Sequence, residues 1–319
     1  MSQRPRLIAL AGAMLALVLA GCGSSSAPTK QLPSSSVKPG TASREPGAGK
    51  PAVTIGTKNF TEEFILGQLY AQALRARGYS VTLKNDIGPS EVMDRALASA
   101  AIDGYPEYTG TILSVFGHDV KGPGSAAEAY RLAAAVERHH NATLLAMAPA
   151  EDTDVIITSP AYARAHHLRS LGDLRRLGPA ATLAGPPEFR TRFNGLVGLK
   201  QAYGVRSLHF VAMKIGQQYQ ALAAGTAQLA VAFTTDGNLT QAGFQLLSDP
   251  KGIFGFQNVT FVVRNAVLAR EGPAFAATIN AVSAKLSTQA LRLMNAAVTL
   301  DQQSPTAVAQ QFLGANGLR

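Results

Sequence analysis

Apolar positions along this chain follow two rhythms, every second residue over short runs and a period near 3.6 over longer ones. From Val53 the two rhythms alternate. Val53–Thr57 reads as a strand. Asn59, with Glu62 three residues on, has the form of a capping box. Phe64, Ile65, Leu69, Ala73 and Leu74 then supply a helical apolar face that Gly78 ends. A strand over 80–84, a helix over 89–101 and a strand opening at Ile102 complete a β-α-β-α-β run, which predicts a mostly parallel sheet with helices on both faces. Helices are expected near 110–116 and over 126–139, separated by a glycine-rich loop at 117–124. A second alternating series follows, with strands near 155–158, 181–184, 207–212 and 228–233 and helices near 194–203 and 217–224. A strand at 259–264 and three helices, about 272–287, 288–300 and 304–314, close the chain. Two α/β units with separate cores are therefore expected, the helical tail packing back on one of them.

The first 51 residues break this pattern. Arg4 and Arg6 precede an apolar run from Leu7 to Ala20, the form of a secretory signal peptide over 1–21 that is too short for a comfortable membrane span. Leu19-Ala20-Gly21-Cys22 resembles the bacterial lipobox, in which the cysteine is diacylated after cleavage. Two acyl chains suffice for stable anchoring. Residues 22–51, rich in Gly, Ser, Pro and Ala, read as a flexible tether. The expected location is thus the extracytoplasmic face of the cell membrane, held there through Cys22.

Composition narrows the function. With 46% hydrophobic and 15% charged residues the chain has the make-up of a globular protein, and a single cysteine allows no internal disulfide. The net charge of +9 comes from scattered residues, with only Arg175 and Arg176 adjacent in the folded part. Nucleic-acid binding calls for a basic stripe interleaved with aromatics, so a solvated basic surface is the better reading. Catalysis has few candidates. His139-His140 and His166-His167 are adjacent pairs that point to different helix faces, so no metal pair is implied. The loop at 117–124 lacks the ending of a phosphate loop, and no cofactor fingerprint appears. Asp103 and Glu107 could flank a scissile bond, but no nucleophile–base set accompanies them. A binding protein rather than an enzyme is expected.

The segment Ile102-Asp-Gly-Tyr-Pro-Glu-Tyr-Thr-Gly-Thr111 holds the densest chemistry. Two tyrosines and several hydroxyls meet where a strand gives way to a helix, a place where ligands tend to sit in open α/β sheets. A buried strand with a tyrosine-rich turn is the competing reading. The further candidates near strand ends are Lys58, Tyr105, Tyr108, Thr109, Thr111, Asp154, Arg192, Phe233 and Asp236. Lys58 and Arg192 suit a carboxylate, and aromatic faces suit a quaternary ammonium, which has no N–H to donate. Taken singly, each cation is more often a surface charge, and Phe233 or Phe256 more often core than cage.

Six motifs in order carry a resemblance over residues 52–319: Ile55-Gly-Thr-Lys-Asn-Phe-Thr-Glu62, Ile65-Leu-Gly67, Ile102–Thr111, Glu188-Phe189 with Arg192 and Gly195, Tyr219-Gln-Ala-Leu222 and Thr234-Thr-Asp-Gly237. Together they resemble the substrate-binding proteins of osmoprotectant ABC importers, which take up glycine betaine, choline, carnitine or proline betaine. The resemblance implies a two-lobed periplasmic-binding-protein fold of type II with a ligand cleft between lobes, lobe I from 52–151 and 257–319 and lobe II from 152–256. It implies capture of a quaternary-ammonium osmolyte and delivery to ABC permease subunits. Lys58, Thr111 and Arg192 match carboxylate-side positions and Tyr108 a cage tyrosine, while Phe233 and Phe256 stand where other cage tyrosines occur. Asp154 also stands in place of a cage tyrosine. There it would pair with a cation and repel a betaine's carboxylate. A same-fold receptor for an amino acid or aromatic solute, or a lipid-anchored module or enzyme, is the alternative.

Overall fold

The computed structural model of the chain describes residues 45–117 and 122–319. The signal peptide, Cys22 and most of the tether expected from the sequence lie outside these residues, as does the middle of the glycine-rich loop. The tether's last residues do not: Gly47 N–H donates to the Arg77 carbonyl (2.9 Å) and Lys50 Nζ to the Arg270 carbonyl (2.8 Å). The folded body therefore takes in Glu45–Lys50, ahead of the expected start.

In chain order the elements are β1 (Val53–Gly56), α1 (Thr61–Arg75), β2 (Val81–Lys84), α2 (Ser90–Ala98), β3 (Gly104–Tyr108), α3 (Thr109–Val115), α4 (Ala126–His139) and β4 (Ala142–Leu144). The chain then crosses to β5 (Asp154–Thr158), α5 (Pro160–Ala165), β6 (Thr182–Gly185), α6 (Gly198–Tyr203), β7 (His209–Ala212), α7 (Gln217–Ala223), β8 (Leu229–Phe233) and β9 (Gln245–Leu247). It returns as β10 (Val259–Arg264) and ends in α8 (Asn265–Glu271), α9 (Pro273–Ser283), α10 (Thr288–Thr299) and α11 (Pro305–Ala315).

These strands build two five-stranded sheets, β2-β1-β3-β10-β4 and β7-β6-β8-β5-β9. Each follows the same plan. Three strands run parallel, and a strand arriving from the other sheet enters antiparallel: β10 between β3 and β4, and β5 between β8 and β9. The expected mostly parallel sheets are thus mixed, because the crossing strands run away from the side toward which β3 and β8 run.

Burial follows the two-residue period of the strands. On β10, Val259, Phe261 and Val263 face one core with α1 and α9, while Val262 faces another with Tyr105 and α4 residues Ala129 and Ala133. On β8, Leu229 and Val231 face one core and Ala230 and Ala232 the other. The helical tail packs on the first sheet: Phe275, Ile279, Leu291 and Leu313 join the core of Leu66, Leu69 and Phe261. Phe261 is fully buried, and its loss to alanine would cost about 3–5 kcal/mol.

The start of α1 differs from the capping box read in the sequence. Thr61 opens the helix and Phe60, not Asn59, holds the N-cap position. Glu62 and Glu63 turn inward instead, both almost wholly buried, with Glu63 accepting the Lys58 backbone N–H (3.3 Å). This leaves Phe60 free to project toward the gap between the sheets.

Candidate functional site

Antiparallel entry of the crossing strands is what gathers the site. The register pairs Val259 with Tyr108 and Asp154 with Phe233, so the first residues of each crossing strand lie beside the carboxyl end of a parallel one. Open α/β sheets place ligands at such carboxyl ends. A cleft opens there, lined from the first sheet by Lys58, Phe60, Ser90, Tyr108 and Thr111. From the second sheet and the crossings come Asp152, Asp154, Glu188, Arg192, Asn194, Phe233 and Gln257.

Three rings form one wall. Phe60 lies 6.4 Å from Tyr108 and 6.2 Å from Phe233, with interplanar angles of 22° and 10°. The wall already accepts a cation, for Lys58 Nζ stands 4.1 Å from the centroid of Tyr108 and 5.7 Å from that of Phe60. Lys58 is otherwise spoken for. It pairs with Glu107 and with Glu63 (3.5 Å), all three buried. Its expected role toward a solute carboxylate is therefore not the one the geometry displays.

Behind the rings is a carboxylate network. The Tyr108 hydroxyl donates to Glu62 Oε1 (2.8 Å), and Asn295 Nδ2 donates to Glu62 Oε2 (2.7 Å) and to the Thr235 carbonyl (2.9 Å). Asp152 accepts the Thr235 hydroxyl and backbone N–H. Burial pushes Glu62 above the ordinary carboxylate range despite donors from Thr235, Tyr108 and Asn295, and pushes Asp152 well above it, with Glu62 adding to the effect. Burial also raises Glu63 to about 8, against the pull of Lys58. Asn295 thus links Glu62 on α1 to the Thr235 carbonyl beyond β8.

Asp154 opens β5 inside the cleft. Asn194 Nδ2 donates to its Oδ2 (2.8 Å). Burial raises its carboxyl from 3.8 to about 7, outweighing the pull of Arg192 and Asn194. Arg192 reaches across the cleft to the first turn of α2, where Nε and Nη2 bind Glu91 at 3.2 and 2.9 Å. Burial would raise Glu91, but the hydrogen bond and charge of Arg192 leave it lowered. Arg192 is set by a tight loop in which only glycine fits at 195, since a Cβ there would lie 2.9 Å from the Phe189 carbonyl carbon.

Of the residues singled out in the sequence, Lys58, Tyr108, Thr111, Asp154, Arg192 and Phe233 line the cleft. Phe256 does not. It lies in a separate groove with Phe193, its carbonyl accepting the Thr109 hydroxyl (3.0 Å). Gln257 enters the cleft in its place, its Oε1 taking the N–H and hydroxyl of Thr111 at 2.9 and 3.2 Å. Tyr105 is buried in the core, and Asp236 holds the Tyr219 hydroxyl (2.7 Å) in a neighbouring cavity. Asp103 and Glu107, weighed as a flanking acid pair, are paired with Arg264 and Lys58. Phe60, Asp152, Asn194 and Gln257 were missed. Phe60 lay inside a quoted motif, whereas Glu91 looked like an ordinary first-turn acid, so no signal distinguished it.

Comparison with known proteins identifies the family. The family profile of the substrate binding domain of ABC-type glycine betaine transport systems matches residues 51–315. The chain is 32% identical over 275 residues to the glycine-betaine-binding protein of Pseudomonas aeruginosa, spanning 81% of this chain and 86% of that one. It is 31% identical over 285 residues to the glycine betaine-binding protein YehZ of Escherichia coli, spanning 83% and 90%. The solved structure of apo YehZ superposes with a TM-score of 0.61 at 30% identity, covering 84% of this chain and 99% of that chain. The chain therefore belongs to the family of substrate-binding domains of ABC-type glycine betaine transport systems.

Proposed function

We propose that this protein captures a methylated quaternary-ammonium solute in the cleft and delivers it to an ABC permease. The observation that carries the reading is the wall of Tyr108, Phe60 and Phe233 in a cleft that the buried carboxyl of Asp154, the strand neighbour of Phe233, also lines. A quaternary ammonium has no N–H, so π-faces and a carboxylate are its best partners, and a desolvated cation–π contact contributes about 2 kcal/mol or more. Family membership and relatives named for glycine betaine binding support the same class. Lobe I takes residues 52–151 and 257–319, lobe II 152–256, and the crossings between them bend as the cleft opens and closes. The mature protein is held on the extracytoplasmic face of the membrane by lipid on Cys22, which the Leu19-Ala-Gly-Cys22 motif supports.

Calorimetric titration of choline, glycine betaine and carnitine into the tetherless protein tests the solute class. Heat from at least one, with the solute recovered unchanged, is expected. Tyr108→Ala should weaken that binding by about 1–2 kcal/mol or more. No heat from any of the three at millimolar concentration would sink the reading.

A further inference from the structure

Both cations of the cleft are already engaged by the protein's own carboxylates. Lys58 is buried against Glu63 and Glu107. Arg192 spends Nε and Nη2 on Glu91 in the two-point geometry by which a guanidinium takes a carboxylate. Glu91 thus makes, from within the chain, the contact a zwitterionic solute's carboxylate would make. Glu188 and Asp154 also line the cleft close to Arg192. A solute carboxylate approaching this guanidinium would therefore enter among three acidic side chains, an arrangement that selects against it.

A second observation concerns what the cleft offers instead. Asn194 lines it, is buried, and gives its Nδ2 to Asp154, while its Oδ1 is buried without a hydrogen-bond partner among the described residues. A buried acceptor left unpaired is costly, and a solute hydroxyl would satisfy it where a carboxylate would not.

We propose that Glu91 is a specificity-determining residue: by holding Arg192 in place of a solute carboxylate, it makes the cleft select a quaternary amino alcohol over the matching betaine. This rests on the methylated-ammonium reading above and names the substrate class within it. The same ion pair joins α2 to the loop before α6 across the cleft, so the protein closes without a carboxylate from the solute to bridge its two sides.

Choline and glycine betaine share the trimethylammonium head and differ only in the terminal hydroxyl or carboxylate, so the pair isolates the effect. Titrated into the wild-type mature chain, choline should bind about tenfold or more tightly than glycine betaine. In Glu91→Gln, whose melting temperature without solute checks its fold, the ratio should fall by about tenfold as Arg192 becomes available to the betaine. Ethyltrimethylammonium, which is choline without its hydroxyl, should bind the wild type about tenfold more weakly than choline. Equal wild-type affinities for choline and betaine overturn the proposal and leave the methylated-ammonium reading standing. An unchanged ratio in Glu91→Gln, even with both affinities weakened, also overturns it, because Glu91 is then only a strut between the two sides. Binding of neither solute overturns both.

Discussion

Under the proposed reading, Asp154 is where the charge of the solute would meet the proton balance of the cleft. Burial favours its neutral form and holds its carboxyl at about 7 against an ordinary 3.8. An acid raised in this way binds its proton more tightly folded than unfolded. Its contribution to the stability of the empty protein is complete below about 3.8 and is lost as pH rises through about 7. A bound cation reverses the preference, since it favours the ionised carboxylate. Affinity for choline should therefore rise between pH 5.5 and pH 8, by up to about tenfold per pH unit below the midpoint. Asp154→Asn should flatten that profile and weaken binding at pH 8. Calorimetry at a series of pH values checks this, and a wild-type profile independent of pH would remove Asp154 from contact with the cation. At this scale most of the cleft was legible, because Lys58, Tyr108, Thr111, Asp154, Arg192 and Phe233 sit at strand ends or in linear motifs. Phe256 was misread: it lines the outer groove while its neighbour Gln257 lines the cleft, because neighbouring side chains in an extended segment point to opposite faces. Glu91 was illegible, because its partner lies 101 positions away in the chain.

Among the elements, α4 carries an unusual burden. Its buried face holds Ala129, Ala133 and Glu137, and neither carboxyl oxygen of Glu137 has a partner among the described residues. Burial raises this group from 4.5 to about 8, with Glu107 and Asp94 adding to the effect. The stability it contributes is accordingly present below about 4.5 and lost as pH rises through about 8. Glu137→Gln keeps the shape and removes the titration. Its melting temperature relative to wild type should climb between pH 5 and pH 9, at about 2–4 °C for each kcal/mol relieved. A constant difference across that range would show that the carboxyl finds a partner when ionised. The long amphipathic elements such as α1 and α4 were readable from periodicity. The three-residue strands β4 and β9 and the short helices α5 and α8 were not, because their length offers too few repeats and tertiary pairing alone stabilises them.

In the whole molecule, α10 ties the two sides of the cleft together. Its Leu291 and Met294 belong to the core of the first sheet, while Asn295 and Arg292 donate to the Thr235 and Thr234 carbonyls beyond β8. The turn at Gly237–Thr240 lies against it so closely that a Cβ on Gly237 would stand 2.5 Å from Ala296 Cα and 2.8 Å from the Asn295 carbonyl carbon. Gly237→Ala should push turn and helix apart, costing about 1–3 kcal/mol in the arrangement where they touch. Solute affinity should drop correspondingly, and calorimetry showing wild-type affinity would place this contact outside the closing motion. Sequence periodicity forecast the two α/β units and the returning helical tail. It could not show that each sheet borrows an antiparallel strand from the far side of the crossing, because strand partners are settled by chain topology rather than by local pattern.

The ring wall has an optical consequence. The chain contains no tryptophan and eight tyrosines, so its near-ultraviolet spectrum has no indole background. Phe60 and Tyr108 precede α1 and α3, whereas Phe233 ends β8 in the other sheet, so the row of near-parallel rings bridges the two sides. Separating those sides removes Phe233 from its neighbour and changes the chiral surroundings of Tyr108. Circular dichroism in the tyrosine band is thereby a label-free gauge of whether the cleft stands open or shut, read from the chromophores that would hold the cargo.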